Sequence, residues 1–89
     1  RYGGEEFVVV MPDTDGAIAG KVAERIRAEI AARPFTIAKD GSVVNVTVSV
    51  GVSSLLRPRD TATDMMKRAD VALYEAKSLG RNRVVAKAA

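Results

Sequence analysis

Residues Arg1 to Phe7 read RYGGEEF: two glycines run into the adjacent carboxylates Glu5 and Glu6, and an apolar stretch follows. Like charges side by side on a short turn repel unless water or a cation screens them. Far along the chain, Lys77 and Arg81 stand four residues apart around Gly80. An ammonium and a guanidinium at that spacing can share a dense anion such as a chain of phosphates. Cations are also favoured at a helix C-terminus by the macrodipole, and the residues alone leave both readings open. The chain has no histidine and no cysteine. That removes imidazole acid–base chemistry, zinc sites and a disulfide framework. Any metal must be held by oxygen, which favours a hard cation such as Mg²⁺.

The elements that must position these groups are legible from spacing. Tyr2 ends a strand, Gly3–Gly4 make the tight turn, and Phe7 to Met11 form the returning strand, stopped by Pro12. Asp13, Thr14 and Asp15 offer caps for a helix over about 16–32. Ile18, Val22, Ile26 and Ile30 recur every four residues beside Ala19 and Ala23, giving that helix one apolar face. Arg33 and Pro34 end it. Asp40–Gly41 marks a turn. Val44 to Val52 then alternate valine with Asn45, Thr47, Ser49 and Gly51, the pattern of a strand with one buried face. Gly51 leaves room for a close neighbour on the other face. A second helix spans about 61–79, with Met66, Ala69, Leu73 and Ala76 inward and Gly80 as its stop. A short strand at 83–86 closes the chain. The order strand, helix, strand, strand, helix, strand predicts an α+β fold, helices packed on an antiparallel or mixed sheet.

Eighty-nine residues make one small domain. The formal charge of +3 gathers toward the C-terminus, at Lys67, Arg68, Lys77, Arg81, Arg83 and Lys87. That suits a phosphate-bearing partner, whereas no arginine-rich run or aromatic-spaced basic stretch points to nucleic acid. The apolar runs are too short to span a bilayer, so no direct membrane contact is expected, and the absence of cysteine and of a targeting segment fits the cytoplasm. The chain starts without methionine inside a hairpin and reads as a piece of something longer.

GGEEF, VTVSVGVS and KRADVALYEAKSLGRNRV, in that order and spacing, resemble the signature turn, following strand and second signature helix of the GGDEF-domain diguanylate cyclase family. The resemblance covers essentially all of the chain and implies that 1–89 is the C-terminal part of a single GGDEF domain. Its fold would be the ferredoxin-like palm of nucleotidyl cyclases, with the N-terminal half missing. The implied reaction condenses two GTP into cyclic di-GMP and two pyrophosphates. Two domains face each other as a homodimer, with Mg²⁺ (or Mn²⁺) beneath each triphosphate.

By this resemblance Glu5 is the metal ligand and helps activate the 3′-hydroxyl; a carboxylate there serves because attack on a polyanion requires cations that offset charge. Glu6 is expected near the metal or the ribose 3′-hydroxyl. Gly3 and Gly4 let the nucleotide close in, where a Cβ would intrude. Lys77 and Arg81 are expected on the triphosphate. Arg25, on the outer face of the first helix, matches an arginine that in some members reaches a partner's inhibitory product site; an exposed arginine paired with Glu29 is the equal alternative. Lys67, Arg68 and Arg83 read as solvated surface and Asp70 as structural. Met65 and Met66 read as core or near-core, and Tyr74 as helix packing with its hydroxyl at the surface.

The family's second metal ligand, phosphate loop and guanine-recognising residues are expected upstream, with a sensory or receiver domain. The fragment alone is therefore expected to be inactive and to carry an exposed strand edge. A non-catalytic GTP or cyclic di-GMP binding module of the same fold is the alternative, and a plain structural module a third.

Overall fold

The computed structural model describes residues 6–37, 39–55 and 58–87. The elements are α1 (Gly16–Ala32), β1 (Phe35–Ile37), β2 (Ser42–Val44), β3 (Val50–Ser53), α2 (Ala62–Ser78) and β4 (Val84–Lys87). Both helices lie where periodicity places them. The Asp15 carboxylate accepts from the Ile18 N–H at 2.9 Å and caps α1. Thr61 and Asp64 form a reciprocal capping box that starts α2, the hydroxyl accepting from the Asp64 N–H at 3.1 Å.

β3 and β4 pair in parallel, Val50 opposite Val84 and Ser53 opposite Lys87, with α2 as the crossover between them. β1 and β2 form a separate antiparallel hairpin, Phe35 opposite Val44. Its turn is fixed by the Asp40 carboxylate, which accepts from the Ser42 N–H at 3.0 Å and hydroxyl at 2.7 Å; these bonds hold the Asp40 carboxyl below its usual pKa.

β3 is covered on both faces. Val52 is buried with Ala19 and Ala23 of α1, and Val50, Val84 and Met11 pack around them. The other face meets α2. The close approach expected at Gly51 is the backbone of that helix: a Cβ on Gly51 would lie 2.3 Å from the Ala69 carbonyl oxygen and 2.4 Å from the Leu73 nitrogen. On the same face the Ser53 hydroxyl donates to the Met65 carbonyl at 2.6 Å. Ala72 and Ala76 are wholly buried in α2.

Several expectations are corrected. Phe7–Met11 forms no strand; Phe7, Val8, Val9 and Val10 are exposed and no described strand pairs with them, while Met11 reaches the core. The single strand over 44–52 is two, β2 ending at Val44 and β3 starting at Val50. Alternation reports which face a residue takes; a strand also needs a neighbour for its backbone groups, and residues 45–49 have none among those described. In α1 the buried face is Ala19 and Ala23, whereas Ile18 and Ile26 are exposed. Tyr74 is 75% exposed and does not pack its ring.

Arg68 is not solvated surface. Its guanidinium is bidentate to the Asp60 carboxylate and donates to the Ser54 carbonyl at 2.7 Å. The side chains are only 17% and 7% exposed, and the Asp60 bonds hold the Arg68 pKa above its usual value. This ties the approach to α2 onto the end of β3.

Gly51→Ala is expected to cost about 3 kcal/mol or more, because backbone cannot yield as a side chain can; chemical denaturation of the wild-type and variant chains measures it. Arg68→Ala is expected to lower the melting temperature clearly, and Arg33→Ala, whose pair with Glu29 at 3.2 Å is exposed on both sides, hardly at all.

Candidate functional site

The C-terminal end of α2 brings two of the expected site residues together. Lys77, in the last helical turn, places its Nζ 3.5 Å from the Glu6 carboxylate, across 71 residues of sequence. The two side chains are 30% and 36% exposed, so the pair stands at the surface, where it can exchange partners. Gly3, Gly4 and Glu5 lie outside the described residues.

Just beyond, the helix closes in a Schellman turn. The Gly80 N–H donates to the Lys77 carbonyl at 3.4 Å and the Arg81 N–H to the Ala76 carbonyl at 2.9 Å. Gly80 takes φ +120°, as the turn requires. Arg81 and Asn82 follow at +66° and +47°, a run of left-handed backbone that glycine adopts freely, asparagine tolerates and arginine takes at a cost. Arg81 is exposed, and among the described residues no carboxylate pairs with its guanidinium. The chain thus presents one half-buried ammonium and one open guanidinium at the same helix end. A multiply charged anion is the ligand such a pair suits.

No ion pair joins Arg25, Lys67 or Asp70 to Lys77 or Glu6 among the described residues. Arg25 is exposed on α1, and the expected Arg25–Glu29 pair is replaced by Glu29 with Arg33. Lys67 and Asp70 are exposed on α2. Arg83 is exposed, and its Nε donates to the Arg81 carbonyl at 3.1 Å. Among the described residues no group of three or more carboxylates could hold a metal ion.

Two features escaped the sequence. Arg27 is gripped by the Glu24 carboxylate at 2.5–3.0 Å, and its remaining nitrogen donates to the Asn82 side-chain oxygen at 2.7 Å. The bonds between Glu24 and Arg27 hold the Glu24 carboxyl below its usual pKa and the Arg27 guanidinium above its own. The i,i+3 spacing of Glu24 and Arg27 was visible; the link to Asn82, 55 residues on, left no local signal. Lys87 likewise binds Glu75 at 2.7 Å and fastens β4 to α2.

Lys77→Met is expected to cost less than about 1 kcal/mol of folding stability, since its pair is partly exposed and the stem's packing is kept. A denaturation curve within that margin shows that Lys77 is not there to hold the fold.

The family described as "Diguanylate cyclase, GGDEF domain" matches residues 1–83. Response regulator PleD of Caulobacter vibrioides is 54% identical over 89 residues, all of this chain and 20% of that protein. Diguanylate cyclase A of Treponema denticola is 49% identical over 84 residues, 94% of this chain and 22% of its own length. The chain therefore spans about a fifth of these curated relatives. Among solved structures, the GGDEF domain of DgcB from Caulobacter crescentus in complex with c-di-GMP superposes with a TM-score of 0.89 at 37% identity. That match covers 97% of this chain and 49% of that one. No helix among the described residues is long and apolar enough to cross a membrane. With three sequence motifs, the α+β fold and these matches in agreement, the chain belongs to the GGDEF domain family.

Proposed function

We propose that residues 1–89 are the C-terminal part of a single GGDEF domain, working in a cytoplasmic diguanylate cyclase that condenses two GTP into cyclic di-GMP. The observation that carries the reading is the meeting of Lys77 with Glu6 beside the open guanidinium of Arg81. It brings Glu6 of the signature to the end of the signature helix, and a triphosphate is an anion that matches two cations there. Relatives named diguanylate cyclase and a neighbour solved with c-di-GMP support the nucleotide assignment.

In this reading Lys77 and Arg81 bind the triphosphate and offset its charge. When the 3′-hydroxyl of one GTP gives up its proton to water and its oxygen attacks the α-phosphorus of the other, the bond to the bridging oxygen breaks and pyrophosphate departs. Cations on the departing oxygens stabilise the charge that develops there. Glu6 keeps Lys77 extended before the anion arrives and stands near the ribose hydroxyl afterwards. Gly3 and Gly4 leave room for the nucleotide. A divalent cation, Mg²⁺ or Mn²⁺, with Glu5 as ligand belongs to the proposal through the signature's resemblance and the all-oxygen donor set of a chain without histidine or cysteine. Such an ion would neutralise phosphate charge and lower the barrier to attack. The described residues alone do not complete its coordination.

The exposed apolar segment at 7–10 and the stretch at 45–49, which has no strand partner among the described residues, suit a domain whose other part supplies neighbours for them. A second GGDEF domain must bring the second GTP, and an upstream sensory or receiver domain would control the pairing. Arg25, exposed on α1, is a candidate contact for product on a partner domain.

The test is a complete domain incubated with GTP and Mg²⁺, with cyclic di-GMP read by mass spectrometry. Wild type is expected to form it. Glu5→Gln is expected to lose at least about a hundredfold in rate, the scale of removing charge stabilisation from a transition state. No product from a folded, dimeric domain overturns the cyclase, and binding of added cyclic di-GMP would then favour a receptor.

A further inference from the structure

Arg81 is held in an uncommon backbone conformation by bonds that leave its side chain alone. Its N–H donates to the Ala76 carbonyl at 2.9 Å, and its carbonyl accepts from the Arg83 Nε at 3.1 Å. The next carbonyl but one, that of Arg83, accepts from the Val50 N–H at 2.9 Å, which anchors the segment to β3. Between these lies Asn82, left-handed like Arg81, and its side-chain oxygen accepts from Arg27 at 2.7 Å.

Arg27 is itself fixed. The Glu24 carboxylate binds its Nε and Nη2, which leaves Nη1 aimed across to Asn82. Its side chain is only 19% exposed although both partners are surface residues. Left-handed backbone at Arg81 and Asn82 in succession costs free energy, most of it at Arg81 because asparagine tolerates the region, and such a run persists where surrounding contacts hold it. The strut from α1 supplies the restraint at Asn82.

We propose that Arg27, oriented by Glu24, is a positioning residue. Through Asn82 it holds the turn that aims Arg81 at the phosphates of the bound nucleotide. The inference rests on the reading of Arg81 as a phosphate ligand given above. Arg27 touches no substrate in this account and acts through the loop. Loss of the strut lets the turn relax toward right-handed backbone, and the Arg81 guanidinium then meets the phosphates only part of the time.

The test is a complete domain, titrated with fluorescent mant-GTP and assayed for KM and kcat, with thermal melts alongside. Arg27→Met and Asn82→Gly each remove the bond, and glycine keeps the left-handed backbone accessible. Each is expected to weaken mant-GTP about three- to tenfold, the equivalent of one ordinary hydrogen bond. KM is expected to rise and kcat to fall with it, because Arg81 serves both the bound triphosphate and the charge that develops on it. Asn82→Asp keeps an oxygen for Arg27 and is expected to bind within about twofold of wild type, as loss of the strut is what the other variants share.

The deciding measurement is the same pair of changes in an Arg81→Ala background. There they are expected to have no further effect, because the residue they position is gone. Full additivity in that background overturns the proposal and leaves a merely structural strut. Unchanged affinity in Arg27→Met, with Arg81→Ala still weakened, overturns it too and spares the phosphate reading. Unchanged affinity in Arg81→Ala itself overturns both. If Arg27→Met melts below the assay temperature, Asn82→Gly against Asn82→Asp decides the matter.

Discussion

Helix α2 rests on β3 at backbone distance because Gly51 carries no side chain. The Ala69 carbonyl and the Leu73 nitrogen occupy the space that any Cβ would need. Everything at the C-terminal end of α2 inherits its place from that contact. Ala72 and Ala76 are wholly buried along the same helix, so the helix can neither lift nor roll without opening the small core. Its last turn then delivers Lys77 to Glu6, and its Schellman turn delivers Arg81. Ser53, two residues beyond Gly51 on the same face, adds a bond to the Met65 carbonyl near the other end of the helix.

The charged residues divide into two kinds around this seat. Arg68 with Asp60, Lys87 with Glu75, and Arg27 with Glu24 and Asn82 are ties, each joining one stretch of chain to another or fixing a turn. Lys77 and Arg81 are different. One is paired at 3.5 Å, beyond an ideal charged hydrogen bond, and the other has no carboxylate among the described residues. Cations left accessible beside rigid ties are what a site for an exchangeable anion requires.

Much of this was legible in the sequence, for reasons that can be named. The helices carried their own boundaries: Asp15 and Thr61 as caps, Pro34 and Gly80 as stops, all local chemistry. The glycine at position 51 announced a close approach, though not that a helix would make it. Strands were harder. The apolar run at Phe7–Met11 and the alternation through 45–49 describe facing, and no local pattern says whether a neighbour is there to pair with. Arg68 was misread because its partner Asp60 stands eight residues away, outside the helix, where helical spacing offers no guide. The α1 ridge of Ile18 and Ile26 is exposed because the helix turns its alanines to β3, where small side chains allow closer packing. Lys77 and Glu6 were placed at one site by resemblance alone; their contact across 71 residues is a tertiary fact.

If the C-terminal end of α2 receives a triphosphate, a crystal structure of a complete domain with a slowly reacting GTP analogue is expected to show phosphate oxygens within hydrogen-bonding distance of the Lys77 Nζ and the Arg81 guanidinium, with α2 still seated on Gly51. A triphosphate bound elsewhere, with Lys77 still paired to Glu6 and Arg81 facing solvent, would contradict that assignment.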